Sequence, residues 1–179
     1  VLKITSSITA KDPNAIVMAR LQRNSSDALL DLTTIPASGT KLNFSILTNS
    51  GYNNRFGLVK LEVDAITGGY SVNGINAGNS DAFRNAVRDN LTNPGGSAIT
   101  AGGQTASAIT WDLTTADQGI YAAVLINPNG QVFTFGTTAS DGRQHVKVLG
   151  DSTFGFEDLL ASQKSDWDFN DFKVQFSYL

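Results

Sequence analysis

Short runs of alternating apolar and polar residues, separated by turn residues, limit the folds that this chain can adopt. Residues 42–47 place Leu, Phe and Ile at every second position, and residues 172–178 do the same with Phe, Val, Phe and Tyr. A period of two is typical of a strand with one buried face. Asn73-Gly74 and Asp141-Gly142 are strong turn dipeptides between such runs. The pattern predicts an all-β fold, mainly an antiparallel, jelly-roll-like β-sandwich.

The sequence also predicts the secondary structure of several individual segments. Residues 119–126 are almost entirely apolar, which is typical of a strand buried on both faces. Ser80 is a suitable N-cap for one short helix, because Phe83, Ala86, Val87 and Leu91 follow at helical spacing. Residues 16–22 and 28–35 are predicted strands. Residues 49–55 are a predicted polar loop, and the Gly-, Ser-, Thr- and Ala-rich residues 95–107 a predicted mobile loop.

Length, composition and charge limit the classes of protein to which this chain can belong. The length of 179 residues fits one domain spanning 1–179, and its start within a strand pattern suggests a module cut from a longer protein. There is no cysteine, so disulfides are excluded, and no apolar run is long enough for membrane insertion. The net charge of −3 and the scattered basic residues argue against a nucleic-acid partner. Because 14 of the 16 acidic residues are aspartate, carboxylates are expected mainly in turns.

The acidic side chains concentrate just before the last predicted strand. Residues 157–171 contain five carboxylates and Asn170, with only Lys164 to offset them. Crowded carboxylates repel one another unless a cation or hydrogen-bond donors compensate. Ca²⁺ prefers six to eight oxygen ligands, so this stretch is a predicted calcium site tied to the terminal strand. The alternative is a solvated acidic turn whose carboxylates cap backbone N–H groups.

Spacing refines this prediction. Asp166, Asp168 and Asn170 have the parity of Phe172, so an extended chain would point all three toward the core side of the last strand. The loop is not an EF-hand, because Asp171 replaces the required Gly and Ser177 the bidentate Glu. Bound calcium would fasten the strand to the loop that carries Glu157 and Asp158.

The segments Phe156-Glu-Asp-Leu and Ser165-Asp-Trp-Asp-Phe-Asn-Asp resemble the ending of a family of secreted bacterial domains found in calcium-rich RTX-type adhesins. Asn54–Leu58, Val63-Asp64 with Gly68-Gly69, the helix after Gly78 and Gly119–Ile126 agree, so the resemblance covers roughly residues 42–179. It implies an extracellular, cell-surface module, monomeric within a longer chain. Its ligand would be peptide termini or glycoproteins on a target cell, with calcium helping to hold the ligand carboxylate. By matching positions, it implies as calcium ligands Glu157, Asp158, Asp166, Asp168, Asn170 and Asp171.

The sequence offers little support for an enzyme. The single histidine, His145, lies in a strand-like run, and no nucleophile elbow, phosphate loop or zinc spacing is present. Two alternatives to a peptide-binding module stay open: a lectin in which calcium binds sugar hydroxyls, and a spacer that calcium only stiffens. Residues 50–55 and 127–130 are candidate ligand-reading loops. Trp167 is predicted as a core or rim aromatic rather than a ligand contact.

Overall fold

The computed structural model describes residues 28–33, 39–150 and 152–179. Within these ranges the chain forms ten strands and one α-helix. The strands are β1 (Leu29–Asp31), β2 (Lys41–Val63), β3 (Tyr70–Val72), β4 (Ile75–Asn76), β5 (Ile99–Asp112), β6 (Ile120–Ile126), β7 (Val132–Thr134), β8 (Val146–Gly150), β9 (Thr153–Phe156) and β10 (Phe172–Tyr178). The helix is α1 (Asp81–Asp89), and short 3₁₀ turns occupy Pro94–Gly96, Thr115–Asp117 and Ala161–Gln163.

All recorded strand pairs are antiparallel, and they join in the order β1-β6-β2-β10-β9-β8. The strands β5, β3 and β7 add to β2 and β6 beside this path. The sheet curls on itself into a half-barrel, which gives the fold a sandwich-like character. The predicted all-β class with one short helix is confirmed. The strand predicted at 16–22 lies outside the described residues, and β1 occupies part of the strand predicted at 28–35.

Strand β2 is the longest element and bends in its middle. Its first half pairs with β10, from Leu42 with Tyr178 to Thr48 with Phe172. Its second half, from residue 55 to 61, pairs with β6. Between the halves, three residues of β2 at 51–53 lie opposite the single residue Gly102 of β5. The predicted polar loop at 49–55 is therefore wrong: these residues form a bulge inside a continuous strand.

The predicted mobile loop at 95–107 is also wrong over most of its length. Residues 99–107 belong to β5, which pairs with β2 along almost its whole length. Most side chains of β5 are exposed, but Ile99, Ala101, Ile109 and Trp111 near its two ends pack against the apolar core. Gly102 fits the bulge because a Cβ there would lie 2.1 Å from the carbonyl oxygen of Tyr52.

The sheet has apolar clusters on both faces. Strand β6 contributes Tyr121, Ala123 and Leu125 to one cluster and Ala122 and Val124 to the other, so its predicted burial on both faces is confirmed. The larger cluster fills the inside of the curl, where the ring of Phe56 in the second half of β2 stacks 5.5 Å from that of Phe172. This contact places the start of β10 next to the bulge of β2.

Helix α1 covers the other cluster. Ser80 caps it by accepting a hydrogen bond from the N–H of Phe83, and Phe83 and Val87 are buried against the sheet. The predicted helix is thereby confirmed. None of the described residues lies in a helix long and apolar enough to cross a membrane.

Candidate metal centre

Glu157 follows β9 directly and is completely buried. One carboxylate oxygen accepts a hydrogen bond from the hydroxyl of Ser165 at 2.5 Å, and the other accepts one from the N–H of Phe169 at 2.5 Å. Among the described residues, no ion pair reaches Glu157, since the three that occur are Lys41–Asp112, Arg84–Asp81 and His145–Asp141. A buried carboxylate with donors but no cationic partner is unusual, because burying an unpaired charge is costly.

The chain between Ser165 and Asp171, here called the closing loop, curls around Glu157. Trp167 and Phe169 have φ angles of 60° and 58°, in the left-handed region that large side chains rarely adopt. The backward extension of β10 is therefore wrong, since β10 begins at Phe172. Asp166 and Asp168 are exposed rather than directed at the core, while Trp167 and Phe169 are half-buried.

The curled backbone nevertheless gathers carboxylate oxygens at one place. Glu157, Asp166 and Asp168 each bring an oxygen within 4.8 Å of the other two, and this group is here called the outer cluster. Asn170 lies beside it, donating its N–H to Asp168 at 2.9 Å and its amide to the same carboxylate. Asn49 of β2 in turn donates to Asn170 at 3.3 Å. Four of the six predicted ligands thus lie together.

The remaining two predicted ligands belong to a separate inner cluster at the bulge of β2. Asp158 is 2% exposed and accepts hydrogen bonds from Ser50 and, at 2.5 Å, from the amide of Asn54. Its backbone N–H donates to Asp171 at 3.0 Å, and its carbonyl accepts from Asn127 at 3.1 Å.

The carboxyl groups of the inner cluster lie close together and are partly shielded from water. Burial raises the pKa of Asp171 to about 7, and the neighbouring charges of Asp158 and Glu157 add to this rise. The hydrogen bond from the N–H of Asp158 acts in the opposite direction. Asp171 therefore holds a proton at pH values where an exposed aspartate has lost it.

A wall of aromatic and basic groups supports the outer cluster. His145 is buried, its Nδ1 lies 3.1 Å from the carbonyl of Glu157, and its Nε2 lies 3.1 Å from Asp141. Its ring stacks on Phe133 at 4.6 Å and contacts Trp167 at 5.0 Å, and the guanidinium of Arg143 lies 4.7 Å from the Trp167 ring. The predicted structural position of His145 and the packed position of Trp167 agree with this arrangement.

Asp141 anchors this wall to the 3₁₀ turn that precedes the closing loop. It accepts the N–H groups of Ala161 at 2.9 Å and Arg143 at 3.0 Å, as well as contacting His145. Burial alone would raise the pKa of Asp141, but these hydrogen bonds and the histidine outweigh it and lower the pKa below its usual value. The wall thereby fixes the carbonyl of Glu157 and, through it, the position of the outer cluster.

Sequence reasoning did not identify Ser165, Ser50 and Asn54 as partners of these carboxylates. Ser50 and Asn54 lie in a polar interruption between two apolar strand runs, and such a pattern predicts a loop rather than a bulge. The structure places 50–55 and 127–130 beside the inner cluster. Their predicted role in reading a ligand stays a prediction.

Together, the fold and these two clusters define an all-β domain with a candidate site for a hard divalent cation. No protein-family model, no curated protein and no solved structure matches this chain.

Proposed function

We propose that this chain is a calcium-dependent, peptide-binding module of a bacterial RTX-type adhesin that attaches a cell to other cells or surfaces. The convergence of Glu157, Asp166 and Asp168 carries the proposal. Glu157 follows β9 directly, whereas Asp166 and Asp168 lie in the closing loop. Their spacing in the sequence alone does not predict that they meet. The resemblance of the chain's ending to secreted adhesin domains supports an extracellular location.

The donor set suits calcium. Calcium–oxygen distances are about 2.3–2.6 Å, so two ligands on opposite sides of one ion are at most about 5 Å apart. The three carboxylate oxygens of the outer cluster lie within 4.8 Å of one another and so fit around a single ion. Two of the three side chains are exposed, which leaves one side of the site open to solvent. Bound calcium would supply positive charge there to a ligand carboxylate or hydroxyl.

The neighbourhood of the site favours peptide over sugar. Side-chain amides, which can pair with a peptide backbone, lie at the two clusters: Asn170 and its partner Asn49 at the outer cluster, and Asn127 at the inner cluster. The two aromatic rings of the closing loop are already contacted by other groups: Trp167 by His145 and Arg143, and Phe169 by Lys147. A sugar-binding site usually needs a free aromatic face, and Trp167 offers less of one.

The proposal is tested by probing peptide and glycan arrays with the purified domain, once with millimolar Ca²⁺ and once with EGTA. We expect peptide spots that depend on calcium, and we expect Asp168→Asn to lose them. Asp89→Asn, a matched loss of one charge at the exposed end of α1, should keep them.

Each other outcome selects an alternative. Calcium-dependent signal on glycans alone would make the domain a lectin, and the peptide assignment would be wrong. No calcium-dependent signal on either array, from a domain that does bind calcium, would leave the structural spacer. A domain that binds no calcium would overturn the whole proposal.

A further inference from the structure

A pocket beside α1 is lined by two arginine side chains, Arg84 and Arg88. Its other walls come from the turn after β6, the start of β7 and residues 139–140, and its volume is about 190 Å³. Pockets for drug-sized molecules are larger, about 300–1,000 Å³, so this one fits a single side chain or a small ion. None of the six predicted calcium ligands lines it.

The pocket has one net positive charge. Asp81 also lines it and forms an ion pair of 2.8 Å with Arg84, whereas none of the ion pairs between described residues includes Arg88. The Asp81 side chain is 90% exposed, so water screens its charge. Two guanidinium groups and one carboxylate therefore leave an uncompensated positive charge, although the whole chain has a net charge of −3. A pocket with this charge suits one monovalent anion.

Neutral acceptors hold both guanidinium groups in place. Nη1 of Arg88 donates to Oδ1 of Asn85, and Nη2 donates to the carbonyl of Gly130, both at 2.9 Å. Nη1 of Arg84 donates to the hydroxyl of Thr137 at 3.0 Å. Within the described part of the chain, Arg88 uses two of its five N–H donors in this way. Because its guanidinium is already positioned, binding a carboxylate costs little additional order.

Arg88 also suits the last turn of α1, where the helix dipole favours a positive charge. This role and the contact with Gly130 require no pocket, and neither accounts for a second guanidinium that lines the same cavity. A purely structural Arg88 would affect stability but not ligand affinity, so the two roles give different experimental results.

We infer that the pocket binds the side-chain carboxylate of an acidic residue in the peptide ligand, independently of calcium. A guanidinium matches a carboxylate because it can donate to both oxygens at once. Val132 and Ala139 add an apolar wall for the methylene groups of such a side chain. No aromatic ring of the described residues lines the pocket, so a sugar ring has no face on which to stack. A phosphate group would bring roughly 1.5 to 2 negative charges, more than the pocket offsets.

The turn after β6 connects this pocket with the metal centre. Asn127 donates to the carbonyl of Asp158 at 3.1 Å and to Oε1 of Gln131 at 2.7 Å, and both Gly130 and Gln131 line the pocket. The choice of a peptide as ligand rests on the proposed function, whereas the charge and volume of the pocket do not depend on it. A peptide that engages both places binds more tightly than it would at either one alone.

An NMR titration of the isotope-labelled domain in EGTA tests the inference. The probe is a Gly-Glu-Gly peptide with both termini blocked, so that its only carboxylate is the glutamate side chain. We expect saturable chemical-shift changes at the backbone amides of Gly130 and Ser140, which line the pocket. The blocked Gly-Gln-Gly peptide has nearly the same shape without the charge, and it should cause none.

Two variants change the pocket charge in opposite directions. Arg88→Gln should weaken binding of the blocked Gly-Glu-Gly peptide by about tenfold or more, because it removes a charged hydrogen-bond donor. Asp81→Asn removes the competing carboxylate and should tighten binding by up to about fivefold, in the range of exposed charge pairs. Both side chains are exposed, so both variants keep the fold. Lys41→Gln is the matched control: it removes one positive charge from an exposed ion pair outside the pocket, and it should bind as the wild type does.

The outcomes separate this inference from the proposed function. No shifts with the blocked Gly-Glu-Gly peptide, equal shifts with both peptides, or wild-type affinity in Arg88→Gln would each overturn the pocket assignment, while calcium-dependent spots on the peptide arrays would still support the proposed function. Tighter binding of inorganic phosphate or of a sulfated glucosamine than of the peptide would make this a site for another anion, and the peptide assignment would be wrong. Peptide binding in EGTA that Arg88→Gln loses would support the pocket even if the arrays showed no calcium dependence.

Discussion

Glu157 links the two halves of the candidate site at the scale of single residues. Its carboxylate receives the Ser165 hydroxyl and the Phe169 N–H, its carbonyl contacts His145, and its neighbour Asp158 begins the inner cluster. The left-handed conformations of Trp167 and Phe169 cost roughly 1–2 kcal/mol each. Such backbone strain persists where the surroundings compensate for it, and here it brings Asp166 and Asp168 toward Glu157.

Asp171 gives a prediction about pH. Its folded-state pKa of about 7 lies above the value of 3.8 expected when it is exposed. Between these two pH values the folded chain keeps a proton that the unfolded chain releases, so this group makes the protein less stable as pH rises from about 4 to 7. Urea unfolding in EGTA should show this decline, and Asp171→Asn should reduce it.

The control for this prediction is Asp89→Asn, which removes an exposed carboxylate and should keep the decline of the wild type. Calcium should reverse the trend, because protons and a cation compete for the same carboxylate oxygens. An Asp171→Asn protein whose stability changes with pH as steeply as that of the wild type would contradict the assigned cause.

At the scale of elements, β2 carries the site because its two halves belong to different parts of the curled sheet. The segment after α1 supports its second half, since Leu58 and Thr92 exchange backbone hydrogen bonds at 3.0 and 2.7 Å. Gly57 allows this close approach. A Cβ on Gly57 would lie 2.7 Å from Cγ of Leu91 and 2.8 Å from the carbonyl oxygen of Thr92.

Gly57→Ala should therefore destabilise the fold by about 1–3 kcal/mol, the usual cost of overpacking. Gly51→Ala on the same strand is the matched control, because nothing lies within 4 Å of its Cβ position. It should change the free energy of unfolding by about 0.5 kcal/mol or less. Urea denaturation of the two variants measures the difference, and equal stabilities would contradict the packing of Leu91 against β2.

The sequence predicts those elements whose own side-chain pattern is sufficient to determine their secondary structure and their buried face. β10, β6 and α1 have apolar residues at the period of their secondary structure, so their burial follows from local pattern. β5 has such a pattern only near its end, where Ile109 and Trp111 pack against the core. Over residues 102–107 its side chains are mostly exposed and backbone pairing with β2 holds the strand. The bulge of β2 looks like a loop in the sequence because polar residues interrupt the apolar pattern of the strand. Among them are Ser50 and Asn54, which contact the inner cluster.

The sequence predicts that acidic residues form the candidate site, but it does not predict how they are arranged. Crowded carboxylates at 157–171 indicate a metal site, but the division into outer and inner clusters depends on Trp167 and Phe169 adopting positive φ. Alternation predicts an extended chain there, and nothing local indicates otherwise. Asn54 in β2 and Asn127 after β6 both contact Asp158, and each lies more than 30 residues from it in the sequence. Such long-range contacts depend on the fold as a whole.

At the scale of the whole molecule, the clusters connect segments that are far apart in the sequence. The inner cluster joins β2, the turn after β6 and both ends of the segment 157–171, and the unfolded chain holds none of these in place. A cation that binds this arrangement therefore binds the folded state alone. Its binding free energy adds to the free energy of unfolding.

Calcium should accordingly raise the melting temperature. At a free concentration about 100 times Kd, one ion adds about 2.7 kcal/mol. For a domain of this size, each kcal/mol raises Tm by about 2–4 °C, so calcium should raise it by about 5–10 °C. Differential scanning calorimetry with calcium and with EGTA measures this shift. Asp168→Asn should lower the shift by at least about half, while Asp89→Asn should retain it in full. Identical melting curves with and without calcium would refute the metal centre, since an ion that binds only the folded state must stabilise it.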